Sequence, residues 1–364
     1  MGRLLFVLVT AALTLGQTGP SGVLDIYFID TEGGQATLYR APSGETLLVD
    51  TGNAGERDLQ RILQVFDVAE VKQIDHLLLT HYHSDHYGGL SDLSKRIPIK
   101  HFYDHGESVE LDRPNIAAFM TTYRDIVGRG IRTVVKPGDR IPFDGASVTI
   151  VVSDGQVLRK PLENAPGAGR SNAACAGSHE RDESKVDPDN HQSAGFVLAY
   201  GRFRTINLGD FTWNRELQLM CPTNPIGTVD LYLTSHHGLD QSGSPALVHG
   251  LQPRVAIMNN GTRKGGHVQT AETLESSFRL EDVWQLHWSY WDGVEHNAPG
   301  LRIANVDEPA QLAAIVAGSE PPAGANGNAA HAPAYYIKVS ARTDGSFTVT
   351  NSRNKYSKTY RGRT

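Results

Sequence analysis

Cysteine is nearly absent from this chain: Cys175 and Cys221 are the only two in 364 residues. That excludes a fold framed by many disulfides, and neither cysteine sits in a ligand-like setting. The two fit one disulfide in an exported protein or two unpaired thiols, and spacing does not choose between them. Positive charge is not in excess either. With 34 basic and 40 acidic residues the net charge is −6. No global field draws the chain to nucleic acid, so no stable nucleic-acid complex is expected, although a local basic patch remains open. Long apolar runs are missing after the first few residues, which excludes a membrane channel. What remains is 39% apolar and 20% charged, the balance of a soluble globular protein.

Residues 1–16 are the exception. Arg3 precedes an apolar stretch from Leu4 to Leu15, closed by Gly16 and Gln17. This is the secretory-signal pattern, too short and too weakly flanked for a membrane span. The expectation is cleavage near Gly16 and a secreted or periplasmic protein with no membrane span after signal removal. No lipid-anchoring cysteine follows.

From residue 23 to 360 the strand pattern never resets, so one domain is expected. Leu24, Ile26 and Phe28 alternate with polar residues. Strand patterns at 36–40 and 46–49 follow across glycine-rich turns, as in the opening of a mostly antiparallel sheet. Leu59, Ile62, Leu63 and Phe66 recur at helical spacing, as do Ile116, Phe119, Met120, Tyr123, Ile126 and Val127. Short apolar strands are expected at 77–79, 99–103, 195–200, 203–208, 231–234, 255–258 and 283–288, with a closing hairpin around Thr343-Asp344-Gly345. Residues 154–190 and 318–334 lose periodicity and read as loop insertions, the first near the mouth of a site.

Thr80 to Gly89 reads Thr-His-Tyr-His-Ser-Asp-His-Tyr-Gly-Gly. It follows a buried-strand pattern at Leu77-Leu78-Leu79 and precedes a helix-like one. His81, His83, Asp85 and His86 are four ligand-type side chains within six residues. Imidazole and carboxylate hold zinc, iron or manganese. Alternate residues point different ways, so the four suit two ions, His81 and His83 on one and Asp85 and His86 on the other. Three more strand patterns end at Asp50, at Gly209-Asp210 and at Ser235-His236-His237-Gly238.

The loop resembles the His-x-His-x-Asp-His signature of the metallo-β-lactamase superfamily. The resemblance implies an α+β fold, the four-layer αβ/βα sandwich, with two divalent metal ions, zinc first among them, at one edge of two sheets. It makes Asp210 the carboxylate bridging both ions, and Asp50 a support for the histidines. His236 is the expected last ligand, with His237 beside it to contact substrate or shuttle a proton, or the two roles exchanged. A further histidine ligand usual in the superfamily has no clear counterpart; Asn190 and His191 are the nearest in context. Asn190-His191-Gln192-Ser193, His236-His237-Gly238 and Gly266-His267 together resemble the hydrolase domain of the bacterial DNA-uptake channel (ComEC) and its stand-alone relatives. In that branch His267 lies beside the site.

These resemblances imply a hydrolase that uses metal-activated hydroxide, first of all on a small-molecule or nucleic-acid phosphodiester. Asp85 is then the residue that orients the water, and His236, His237 or His267 assists the leaving group. Hydrolysis of another ester or amide is the alternative, and a metal-stabilised binding module without turnover is the third reading. An aspartate at the bridging position argues against a lactamase, where the best-known members carry cysteine.

Overall fold

The computed structural model describes residues 22–291, 296–306 and 333–362. The signal-like residues 1–16, and all but the last two residues of the 318–334 excursion, lie outside them. Among the described residues, two nine-stranded sheets face each other. The first runs, edge to edge, through Ser357–Tyr360, Phe347–Asn351, Ile337–Ala341, Leu24–Phe28, Thr37–Arg40, Thr46–Val49, Ile74–Leu78, Ile99–Asp104 and Ile131–Val134. Its first six strands are antiparallel, and the last four pair in parallel. In the second sheet, Phe203–Asn207, Leu231–Leu233, Val255–Met258, Asp282–His287 and Ile303–Asn305 are parallel, and Gly195–Tyr200 and Ser147–Ser153 continue it antiparallel.

Period-two alternation decides which side each residue faces. Leu24, Ile26, Phe28, Leu47, Val49 and Leu78 point between the sheets and meet Phe196, Leu198, Leu231, Leu233, Val255 and Ile257. Their neighbours Leu48, Leu77 and Leu79 point outward, onto Leu59, Ile62 and Phe66 of helix Glu56–Val68 and onto helix Pro114–Val127. Tyr232, Ala256 and Met258 do the same on the second sheet, beneath helices Trp213–Met220, Pro245–Leu251 and Val268–Glu275. Each fully buried Leu, Ile or Phe contributes roughly 2 kcal/mol by removal from water. Helix, sheet, sheet, helix is the four-layer α+β sandwich.

Several elements differ from the sequence reading. The second sheet has a strand beyond 282–287, at Ile303–Asn305, and the closing hairpin gains a third strand, Ser357–Tyr360. Residues 154–190 are not structureless. They hold strand pairings at Gln156–Val157 and Arg170–Ser171 and helical turns at Ala173–Gly177 and Pro188–Gln192. Cys175 and Cys221 form a disulfide with Cα atoms 5.8 Å apart. Closing the 46-residue loop between them stabilises the fold by about 4 kcal/mol in the chain-entropy account. No helix among the described residues is long and apolar enough to cross a membrane.

Candidate metal centre

The parallel strands of both sheets release their chains at the same end. Strand Thr46–Val49 ends at Asp50, Ile74–Leu78 runs into Thr80–His86, Phe203–Asn207 into Asp210, and Leu231–Leu233 into His236–His237. Carboxyl ends of parallel strands are where an open α/β sheet leaves room for a ligand. All six of these loop side chains are buried: Asp50, His81, His86, Asp210, His236 and His237.

Asp85, His86, Asp210 and His237 each bring one ligand atom into a group whose members lie within 4.8 Å of one another. His237 Nε2 is 3.3 Å from Asp85 Oδ2 and 3.3 Å from Asp210 Oδ2. His86 Nε2 is also 3.3 Å from each of those oxygens. The two ring nitrogens are 3.3 Å apart. His81 and His83 sit alongside, His81 Nε2 lying 3.0 Å from His83 Nδ1 and 3.8 Å from Asp210 Oδ2. Asp210 thus faces both halves, as a bridging carboxylate must. Its Oδ1 is buried with no hydrogen-bond partner, and a buried orphan oxygen of this kind needs an explanation. Four converging lone-pair atoms and one orphan oxygen fit a pair of divalent cations.

The supporting contacts fix the rings. His86 Nδ1 is 2.8 Å from Asp50 Oδ2, and Asp50 also accepts from the Thr80 N–H at 2.8 Å and the Thr80 hydroxyl at 2.7 Å. The Nδ1 proton of His86 is therefore held by Asp50, which leaves Nε2 as a lone-pair donor. The Asn259 side-chain Nδ2 lies 3.1 Å from His237 Nδ1 and donates to it, orienting that ring with the opposite polarity to the Asp50–His86 contact. Asp189, fully buried, accepts from the Tyr82 N–H at 2.7 Å and the Ser108 hydroxyl at 2.9 Å, tying the metal loop to the next one. Burial opposes ionisation of Asp189, and His105 outweighs it, holding the carboxyl well below its usual range.

The electrostatics ask for cations. Burial resists the Asp210 carboxylate, yet His237, His86 and His236 hold it well below its ordinary range. Burial likewise resists a proton on His86, but Asp210, Asp85 and Asp50 raise its affinity for one well above the usual histidine value. Burial lowers His236 to about 4 and, with His86 and His83 nearby, drives His81 well below its ordinary range. His81 and His236 are thus neutral imidazoles at neutral pH, the form that binds metal.

Of the adjacent histidines expected at this strand end, His237 joins the compact group. His236 Nε2 reaches only Asp210, at 3.4 Å, and its ring lines the cavity above. The reason is backbone: His236 and His237 both have left-handed φ, 52° and 57°, a conformation costing about 1 kcal/mol or more for each non-glycine residue. Two such residues in succession turn the chain so that the second ring points inward. Gly209 and Gly265 allow the close approach. A Cβ on Gly209 would lie 2.7 Å from Thr80 Cβ, and one on Gly265 would lie 2.0 Å from His237 O.

Other expected residues lie elsewhere. His191 Nδ1 is 3.0 Å from the Thr212 hydroxyl and stands apart from the ligand group. His267 is anchored by its N–H to Gly238 O, but its ring faces Trp291 and Asp240. Asn190 is buried, lines the cavity and has an unpartnered Oδ1. Sequence reasoning missed Lys264, which ion-pairs with Asp85, and Glu110, whose Oε2 is 3.4 Å from His83 Nε2. No local signal marks either. The cavity over the group holds about 400 Å³, walled by His83, Asp85, Asp210 and His236 and rimmed by Arg113, Lys185 and Lys264.

A metal-dependent hydrolase of the UPF0173 group from Staphylococcus saprophyticus is 27% identical over 124 residues, 32% of this chain and 44% of that protein. An atrochrysone carboxyl ACP thioesterase from Pseudocercospora fijiensis is 31% identical over 105 residues, 29% of this chain and 31% of that protein. The chain thus spans under half the length of these curated relatives. The metallo-β-lactamase fold protein YhfI from Bacillus subtilis superposes over 73% of this chain and 96% of its own, with 13% identity and a TM-score of 0.44. The sequence profile of the metallo-β-lactamase superfamily matches residues 29–220, more than half of the chain, including the His81–His86 loop and Asp210. On that match this chain belongs to the metallo-β-lactamase superfamily.

Proposed function

We propose that this chain is an exported two-metal hydrolase, with zinc the expected metal and phosphodiesters the first substrate class. The observation that carries the reading is the convergence of Asp85, His86, Asp210 and His237 on one point, with Asp210 Oδ1 buried and unpartnered. His81, His83 and Asp210 would hold one ion, and Asp85, His86, His237 and Asp210 the other. Such a pair supplies a water activated near neutral pH and positive charge where the transition state gains negative charge.

The chain's own residues do the rest. Asp50 and Asn259 fix two ligand rings. Asp85 is placed to orient the water. His236, neutral at pH 7, faces the cavity as a nitrogen ligand or hydrogen-bond acceptor rather than as a proton donor. Asn190 presents its free Oδ1 beside it. The rim itself is balanced in charge, with Arg113 paired to Glu110 and Asp187 and Lys264 paired to Asp85, so the phosphodiester reading rests on the motifs. The resemblance of the His236-His237-Gly238 and Gly266-His267 motifs to the DNA-uptake hydrolase domain supports the same class. Export is supported by the signal-like start and by the Cys175–Cys221 disulfide. Hydrolysis of another ester is the second reading, favoured by the thioesterase among the relatives.

The test is a panel of zinc-loaded protein against bis(p-nitrophenyl) phosphate, single-stranded DNA, a lactone, an acyl thioester and nitrocefin. Turnover of the phosphodiesters above all others is expected. Preference for the thioester or lactone would replace this reading with the second one, and turnover of none would leave a binding module.

A further inference from the structure

Lys264 stands on the loop between strand Val255–Met258 and helix Val268–Glu275. The backbone of Lys264 and of its neighbours Arg263 and Gly266 is held at three points. Gly261 N–H donates to Lys264 O at 2.8 Å, the Trp291 indole N–H donates to Arg263 O at 2.8 Å, and Gly266 N–H donates to His237 O at 3.1 Å. A Cβ on Gly33 would lie 2.9 Å from Gly261 N and 3.0 Å from the Lys264 Cβ, so the glycine leaves room for this loop. The side chain therefore starts from a fixed point. Its Nζ pairs with Asp85 Oδ2, the same oxygen that lies 3.3 Å from both His86 Nε2 and His237 Nε2. An ammonium thus rests on the face of Asp85 that looks into the ligand group. Like charges repel at this range, so an ammonium and a divalent ion do not share that oxygen at full strength. Lys264 is 38% exposed at its side chain against 16% for Asp85, so the ammonium has a path to solvent while the carboxylate stays in place.

We propose that Lys264 is a resident cation that competes with the metal for Asp85. The ion on Asp85, His86 and His237 then binds by exchange, with the ammonium swinging outward, and Lys264 sets how often that position is filled. In the metal-poor protein the same lysine neutralises Asp85, so the site keeps its shape. This rests on the two-ion reading above and adds a control on it.

The test uses the full chain, stripped with a chelator and titrated with zinc chloride by calorimetry, with bound zinc counted after dialysis. The parent, Lys264→Met and Lys264→Arg are compared. Met keeps the length of the stem and removes the charge, and Arg keeps the charge. Two binding steps are expected in the parent. In Lys264→Met one step should tighten by about tenfold or more, the scale of one lost charge contact, while the other stays unchanged. Lys264→Arg should retain the parent's two affinities. Two unchanged steps in all three proteins would overturn the competition and leave the two-ion site standing. Loss of a step in Lys264→Met would also overturn it, by making the lysine a support. One ion or fewer in all three proteins would overturn the two-ion reading itself. Thermal melts of the stripped proteins confirm that the variants fold.

Discussion

Two buried clusters in this molecule share the same residue types and differ in one respect. Asp30, Glu32 and His287 converge at the ends of strands Leu24–Phe28 and Asp282–His287, all three buried and close enough to hold an ion. Asp85, His86, Asp210 and His237 converge likewise at the opposed loops, Asp85 half-buried and the other three buried. In the first cluster Arg61 Nη1 lies 3.0 Å from Asp30 Oδ2 and 3.0 Å from Glu32 Oε1, and His287 Nε2 lies 2.6 Å from Asp30 Oδ1. A guanidinium from helix Glu56–Val68 already supplies the cation, so the cluster is a cross-link between the sheets. In the second, among the described residues, no arginine enters, and a lysine touches the outer carboxylate. Buried acids and histidines therefore do not make a metal centre by themselves. What sets the second cluster apart is that its inner carboxylate, Asp210, faces histidine rings, which a proton or a metal ion can charge, rather than a fixed guanidinium.

The comparison breaks most visibly at Asp210. Replacing it by Ala removes an oxygen facing both halves of the second cluster and nothing from the first. Hydrolysis should fall by orders of magnitude, since loss of even one transition-state contact costs about 10²–10³ in rate. At least one zinc should leave, while unfolding by urea should change little because the sheets stay packed. Full metal and near-parent turnover would show that Asp210 is an ordinary turn residue.

Arg61→Met tests the first cluster. It leaves Asp30 and Glu32 without the guanidinium, so stability should drop by roughly 3–5 kcal/mol, as for a broken buried ion pair. Zinc content and turnover should hold in the fraction that folds. A urea midpoint equal to the parent's would mean that Arg61 is not the internal cation.

Glu216 extends the comparison to a buried acid that, among the described residues, has no salt bridge to its carboxylate. Its partners are N–H groups, Gly243 at 2.9 Å and Ser244 at 2.6 Å. Burial raises it to about 7 in spite of them. The folded chain therefore holds this proton more tightly than the unfolded one. Stability from this group is complete below pH 4.5 and is lost as pH rises from 4.5 to 7, by about 3 kcal/mol in all. Glu216→Gln should flatten that part of the stability curve. An unchanged slope would place the titration elsewhere.

Asn259→Ala should be milder. Removing the group that orients a ligand ring costs about 10- to 100-fold in metal affinity. Zinc titration should show one weakened step, that of His237; no change would mean that the ring is held by packing alone.

The sequence makes the outline legible where neighbours in the chain are neighbours in space. His81 to His86 fall in one tight loop, and the alternating apolar strands sort themselves onto two faces without further information. Asp50, Asp210 and the His-His-Gly motif are readable because each closes a short strand. Which of His236 and His237 turns inward is not readable, because it depends on two consecutive left-handed residues that no propensity favours. Lys264 is one of 34 basic residues and gains meaning only through Asp85, 179 positions away. The strand Ser357–Tyr360 is short and mostly polar, so its pattern is that of a tail. Asp189 and Asn259 act through contacts made across loops, for which local spacing gives no sign.

His191 separates reading by sequence from reading by geometry, and its effect should be the smallest. By chain position it stands just ahead of strand Gly195–Tyr200, where a further ligand to the first ion is expected. In space its Nδ1 meets the Thr212 hydroxyl at 3.0 Å and lies 3.6 Å from Glu183 Oε2. Burial lowers its proton affinity, so at neutral pH it is an uncharged ring in a side-chain contact. His191→Ala should therefore cost about 1 kcal/mol, the worth of one hydrogen bond, and leave both zinc affinities as in the parent. Asn190 is the neighbour that faces the cavity with a free Oδ1, and Asn190→Ala should weaken the first zinc more than His191→Ala does. Zinc titration of the two variants side by side gives the answer. If His191→Ala loses the first ion and Asn190→Ala keeps it, the loop must rearrange when metal binds, and position in the chain was the better guide.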